Sequence, residues 1–253
     1  MTPTRAHHEA VDAAIELFTR QGYERTTVEE IADAANISRA TFFRRYGSKE
    51  DVVFADHEVL LDDVVVLLAE SRDARSTADP LVEVCRAARL VFDHHVSQPR
   101  ISRARHALLQ QVPALRDREL VTTHRYERAF TRYLRGRLPE GPHNDTASVA
   151  FAASVVAVHN AILRRWLRDP ERDMRPALED AFGDLRRAAA RAAGPAAEDS
   201  VPASTAPGGT EREPVTPTGD IPAGRPRVVV AVVEAADDAT ADDVARAVRD
   251  ALA

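Results

Sequence analysis

The residues best placed to do chemistry here are cations on one short segment. Arg39, Arg44, Arg45 and Lys49 stand between positions 39 and 49 with no acid among them, and Lys49 is the only lysine of the chain. Wound as a helix from Arg39 to Tyr46, the segment has two faces. Phe42 and Tyr46, four apart, turn inward with Ile37, while Arg39, Ala40, Phe43 and Arg44 share the opposite side. A guanidinium can hydrogen-bond guanine O6 and N7 together, so Arg39 and Arg44 are assigned to base edges in a major groove. Arg45 and Lys49 flank that face and are assigned to phosphates. Lys49 also opens the next helix, whose first backbone N–H groups favour an anion. Thr27, Ala40, Thr41 and Phe43 complete the set expected to meet DNA.

Other chemistry is poorly represented. The chain has no G-x-S-x-G elbow, Walker loop or dinucleotide fingerprint, and Pro207-Gly-Gly209 follows no strand. The acid pair Glu29-Glu30 suits helix capping better than proton transfer. An enzyme is therefore not expected, and neither is a cofactor. His7-His8 and His94-His95 are adjacent pairs, and neighbours on a helix diverge by about 100°, so neither pair chelates alone. No Cys/His cluster has zinc-ligand spacing, so no metal is expected. Cys85, the single cysteine, lies among Leu81, Val82 and Val84 and reads as buried filler.

The elements that would position the cations carry clear punctuation. Val11, Ala14, Ile15 and Phe18 make one stripe of a first helix, and Gly22 sits where a left-handed residue stops it. Thr27-Val-Glu-Glu30 is a capping box, and Val28, Ile31, Ala32 and Ala35 stripe the helix that follows. Asn36 occupies the turn, where its tolerance of positive φ is useful. Ser38 caps the cationic helix, Gly47 ends it, and Ser48-Lys-Glu-Asp51 starts a fourth. Two short helices joined by a tight turn, the second presenting basic residues, is the helix-turn-helix plan.

Longer amphipathic stretches follow, at roughly 49–72, 80–97, 100–111, 117–138, 145–168 and 174–193, with prolines at or near the breaks. The expected fold is all-α with about nine helices. Residues 1–55 form the DNA-binding head and 56–193 a ligand-binding, dimerising body. Residues 194–226, rich in Pro, Gly, Ala, Ser and Thr, read as a flexible linker. Residues 227–253 read as an appended tail, with a β-branched run at Val228–Val233 and a capped helix from Thr240 to Leu252. At 44% hydrophobic residues the chain can build a core. Its net charge of −6 is not that of a generic polyanion binder, so the basic segment, not the whole chain, must carry any affinity for DNA. With no run of about 18 uninterrupted apolar residues and no apolar leader, a cytoplasmic location away from membranes is expected.

The stretch TTVEEIADAANISRATFFRRYGSKEDV, preceded by AAIELFTRQGY, resembles the DNA-binding domain of the TetR family of transcriptional regulators over about residues 5–55. It departs from the family pattern at Asn36, more often glycine there, and at Phe43, more often tyrosine. The later stretches LLQQVPALRDRELVTTHRYERAFTRYL and AASVVAVHNAILRRWLRDP, with Pro113-Ala-Leu-Arg116, Trp166 and Ala181-Phe182 as landmarks, resemble the subgroup that binds acyl-CoA-like ligands, mycofactocin-system regulators among them. The resemblance implies a homodimeric repressor on palindromic operator DNA, released by a small effector. No residue distinguishes repression from activation, and a DNA-independent interaction module is the alternative. Helices 145–168 and 174–193 are the implied dimer face, and the stripe Val155, Val156, Ile162, Leu163 and Trp166 fits either that interface or the core. Phe92, His95, Leu108, Leu109, Tyr126, Phe130, Val155 and His159 are the expected pocket residues. Arg100, Arg103, Arg105, Arg116 and Arg118 are placed to meet an anionic group at its mouth.

Overall fold

The computed structural model describes residues 3–73 and 79–192, and those residues are helical wherever they are regular. The readings made for 194–226 and 227–253 lie outside the described residues. The described residues form one compact unit.

Four helices open the chain: α1 (Pro3–Gln21), α2 (Val28–Ala34), α3 (Arg39–Tyr46) and α4 (Lys49–Val52). Their boundaries have local causes. Thr27 accepts from the Glu30 N–H while the Glu30 carboxylate takes the Thr27 N–H, the reciprocal capping box. Ser38 and Ser48 each accept an N–H three residues on and so start α3 and α4. Asn36 carries φ 53° in the turn between α2 and α3. Gly47, at φ 83°, stops α3 where a Cβ would lie 3.1 Å from an Asp51 carboxylate oxygen.

Six longer helices complete the unit: α5 (Ala55–Asp73), α6 (Pro80–Ser97), α7 (Pro99–Gln111), α8 (Pro113–Arg135), α9 (Asn144–Arg168) and α10 (Arg175–Ala192). Pro80, Pro99 and Pro113 occupy first turns, where the missing N–H is no loss. The sequence pattern predicts one helix over 49–72. The structure breaks it at Val53-Phe54, because both side chains are drawn fully into the core, 0% and 3% exposed. That break separates α4 from α5 and adds one helix to the expected nine.

Two cores result. One joins α5, α6, α8, α9 and α10 through residues such as Phe92, Phe130, Leu134, Val155, Trp166, Leu178 and Phe182. The other joins α1 to α4 with Ile101, Leu108 and Leu109 of α7 and Leu115 of α8. The head therefore shares its core with two body helices. By length and composition alone α9 could cross a membrane. Its Phe151, Ala152, Val155, Ile162 and Trp166 are nevertheless buried in the body core, so that face is already occupied by protein.

Candidate nucleic-acid interface and effector cavity

On α3 the inward and outward faces fall as the spacing implies. Phe42 is fully buried and meets Tyr46 edge-on at 5.2 Å between ring centroids. Arg39, Ala40, Phe43, Arg44 and Arg45 are exposed and Thr41 is half-buried. The cations are not equally free. Arg39 Nε lies 2.5 Å from a Glu29 carboxylate oxygen on α2, and its guanidinium stands over the Phe43 ring at 5.2 Å. Arg39 would have to leave Glu29 before its guanidinium could meet a base edge. Arg44 has no ion-pair partner among the described residues and points from the middle of the exposed face. Arg45 hydrogen-bonds the Tyr46 side chain. Thr41 is tied to the cap, since Ser38 Oγ donates to its hydroxyl at 2.9 Å. Thr27 is exposed at the start of α2, its hydroxyl donating to Glu30 at 3.0 Å.

Lys49, expected on a phosphate, is folded back. Its Nζ donates to the Tyr23 carbonyl at 3.1 Å and sits 3.9 Å from the centre of the Tyr23 ring. The Tyr23 hydroxyl in turn donates to Glu50. The ammonium thereby pins the end of α1 to the start of α4. The signal for this was weak, since 26 residues separate the partners.

The body holds a cavity of about 80 Å³ whose lining comes from α5 to α9 and the α4–α5 turn. Its walls are Phe54, Ala88, Val91, Phe130, Val156 and Leu163; its polar groups include His57, His95, Arg105, Tyr126, His159 and Asn160. Of the expected pocket residues, His95, Tyr126, Phe130 and His159 line it. Leu108 and Leu109 do not: they face α1 and help fill the head core. Phe92 and Val155 lie one layer behind, packed in the body core, with Phe92 edge-on to His159 at 6.0 Å. Val156 takes the place expected of Val155.

A buried network closes one end of this cavity. Arg105 Nη2 donates to Asp56 Oδ2 at 2.7 Å, with the two side chains 5% and 2% exposed. Arg105 Nη1 lies 3.0 Å from His57 Nε2. A guanidinium only donates, so His57 Nε2 is an acceptor and its proton is on Nδ1, 3.3 Å from the Tyr126 hydroxyl. That hydroxyl donates onward to the His57 carbonyl at 3.2 Å. Asp56 Oδ2 also meets His94 Nε2 at 3.0 Å, and Oδ1 accepts the His57 N–H. Burial works against the Asp56 carboxylate, but Arg105, His57 and His94 outweigh it and hold its pKa well below the usual range. Burial also keeps three imidazoles neutral. It lowers His57 to about 3 against the pull of Asp56, lowers His95 strongly with help from the neighbouring imidazoles and Arg105, and lowers His159. Burial and the Asp56 charge raise the Tyr126 phenol, and burial pushes the Cys85 thiol up to about 12, which leaves it unreactive.

The five arginines expected at a pocket mouth divide. Arg105 is buried on Asp56. Arg118 is paired with Asp51 of α4 at 2.7 Å and Glu58 of α5 at 3.6 Å, and Arg100 lies 3.8 Å from Asp12. Arg103 and Arg116 are exposed. Arg118, with Arg125 on Glu58, clasps α8 to the head and to the first turn of α5.

A capped helix-turn-helix with an exposed cationic helix, carried on an α-helical body, defines a DNA-binding transcriptional regulator. The comparisons with known proteins agree. Residues 10–55 match the family model described as bacterial regulatory proteins, tetR family, and residues 79–190 match that of the MftR C-terminal domain. The chain is 30% identical over 180 residues to the mycofactocin biosynthesis transcriptional regulator MftR of Mycobacterium tuberculosis, an alignment covering 71% of this chain and 88% of that protein. It is 28% identical over 191 residues to the HTH-type transcriptional regulator TcmR of Streptomyces glaucescens, covering 72% and 83%. A TetR-family regulator from Syntrophomonas wolfei shares the fold at a TM-score of 0.55 and 14% identity, over 75% of this chain and 97% of that one. The chain belongs to the TetR family of transcriptional regulators, with a body of the MftR C-terminal type.

Proposed function

We propose that the protein is a cytoplasmic, non-enzymatic repressor that binds a palindromic operator as a homodimer and is released by a small effector taken up in the body cavity. One observation carries this reading. The cavity wall includes Phe54 and His57, which bracket the junction between α4 of the head and α5 of the body. An effector that displaces those two side chains acts on the helix joint that aims α3. For release, it must bind the DNA-incompetent arrangement more tightly than the competent one. The size of the cavity supports this. At about 80 Å³ it is roughly half the ~150 Å³ that holds a benzene molecule, so a larger effector enters only as the walls move. The apolar walls support the apolar part of the expected effector. The internal pairing of Arg100, Arg105 and Arg118 argues against an anionic part such as the phosphates of an acyl-CoA.

The outward side of α9 supports the dimer. Ala147, Ala150, Ser154, Ala157 and Ala161 recur at helical spacing opposite the buried Val155, Ile162 and Trp166. Small side chains let a second copy of the helix approach closely, and two helices from each subunit make a four-helix bundle. The stripe Val155, Ile162 and Trp166 is thereby assigned to the core, and Val156 and Leu163 to the cavity.

Binding across a salt series, on intergenic DNA beside the protein's own gene and on random DNA, tests the reading. Arg44→Ala should weaken operator binding by roughly 1–3 kcal/mol and relax preference at one base pair per half-site. Arg45→Ala should weaken both DNAs alike and lower the salt slope by about two for a symmetric dimer. Arg44→Ala with no effect on either DNA would remove α3 from the interface.

A further inference from the structure

We infer that the effector is an uncharged compound with a hydroxyl group on an apolar ring, such as a phenol, and that His159 and Arg105 together recognise that hydroxyl. The inference rests on the cavity being the effector site, and it adds the chemistry of what is bound.

His159 is 7% exposed and Arg105 4%, and both line the cavity. His159 Nδ1 lies 3.0 Å from Asn160 Oδ1, an acceptor, so Nδ1 carries the proton and Nε2 is a bare acceptor. That Nε2 is buried with no hydrogen-bond partner. His95 has the same tautomer. Ser102 spends its single proton on the His95 carbonyl at 3.0 Å, so its oxygen accepts from His95 Nδ1, and His95 Nε2 is again the acceptor. The His95 and His159 rings stand 6.2 Å apart. On the donor side, Arg105 uses Nη1 and Nη2 on His57 and Asp56, while its Nε–H is buried without a partner. A buried donor or acceptor left unpaired costs about 1–3 kcal/mol, so these atoms mark what is missing.

A hydroxyl group is donor and acceptor at once. One O–H donating to an imidazole Nε2 and accepting from Arg105 Nε–H would satisfy both. A carboxylate or phosphate offers acceptors only and would set its charge against imidazole lone pairs. The charged groups at this end, Asp56 and Arg105, already neutralise each other. The surrounding side chains are flat or apolar: Phe54, Phe130 and the imidazoles themselves.

Isothermal titration calorimetry on the full chain without DNA tests this, using 2-naphthol, its methyl ether, 2-naphthoate and oleoyl-CoA as probes. 2-Naphthol should bind at least roughly tenfold more tightly than the ether or the carboxylate, the worth of one buried hydrogen bond. Its affinity should be flat between about pH 6 and 8, because neither partner gains a proton. His159→Phe keeps the ring volume and removes the acceptor. It should erase most of the preference for naphthol over the ether. The wild-type ratio is decisive by itself should that variant not fold. Equal or tighter binding of 2-naphthoate or oleoyl-CoA, or no binding of 2-naphthol, overturns the inference. Because no DNA is present, that result is separate from failure of the regulatory reading. Naphthol binding without operator release would leave the site chemistry standing and sink the proposed release.

Discussion

Replacing Arg105 by methionine should be among the most destabilising single changes in the body. Methionine keeps much of the arginine stem, so the loss is of charge and hydrogen bonds more than of packing. Asp56 and Arg105 meet at 2.7 Å with side chains 2% and 5% exposed, so solvent screens the pair little. Without Arg105 the Asp56 carboxylate keeps only the His57 N–H and His94. Leaving one partner of a buried pair uncompensated costs about 3–5 kcal/mol. For a unit of this size each kcal/mol lowers Tm by about 2–4 °C, so a fall of roughly 6–20 °C is expected in thermal unfolding followed by far-ultraviolet circular dichroism. The same logic makes the double variant Asp56→Asn with Arg105→Met more stable than Arg105→Met alone, since the orphaned charge is gone. A loss below about 1 kcal/mol for Arg105→Met, or a double variant no better than the single, would show that water reaches the pair and that the network is not buried.

Two further outcomes are expected. Folded His57 titrates near 3, and His95 and His159 are also held low, against about 6.5 in the unfolded chain. Below pH 6.5 the unfolded state therefore takes up protons that the folded state refuses, and stability falls with pH by up to about 1.4 kcal/mol per unit per histidine. Denaturant unfolding at pH 7 and 5.5 measures this, and an unchanged midpoint would contradict neutral burial of the three rings. In the proposed dimer, Ala157→Glu places a charge on the outward stripe of α9. It should yield a folded monomer by light scattering after gel filtration, whereas an intact dimer would move the interface elsewhere.

Much of the head was legible because its signals are local. The capping box at Thr27, the caps at Ser38 and Ser48, the left-handed Asn36 and the Phe42–Tyr46 pair all act within a few residues. The structure places each of them as the sequence implies. The body helices were legible through proline and periodicity for the same reason. The cavity was half legible. His95 and His159 sit on apolar stripes, but His57 lies in a run where one continuous helix was expected, and the turn at Val53-Phe54 that exposes it to the cavity comes from tertiary burial. By its arginine neighbours, Arg105 reads as a mouth residue. Its true place had a signal: it falls at i+4 from Ile101 and at i−3 and i−4 from Leu108 and Leu109, on the buried stripe of α7. The position of Lys49 had only a weak one, because its partner, Tyr23, lies 26 residues away beyond the end of α1.

The two faces of α9 have a consequence for how the proposed dimer would sense its effector. His159 and Val156 border the cavity, and Ala157 and Ala161 look outward, so in the proposed dimer ligand and neighbouring subunit would be separated by the thickness of one helix, on the order of 10 Å. A small roll of α9 about its own axis, forced by an occupant of the cavity, would present a different set of alanines to the other copy. The two subunits would then share news of occupancy without any relay of intervening residues, and the half-liganded dimer would be a strained species rather than a resting state.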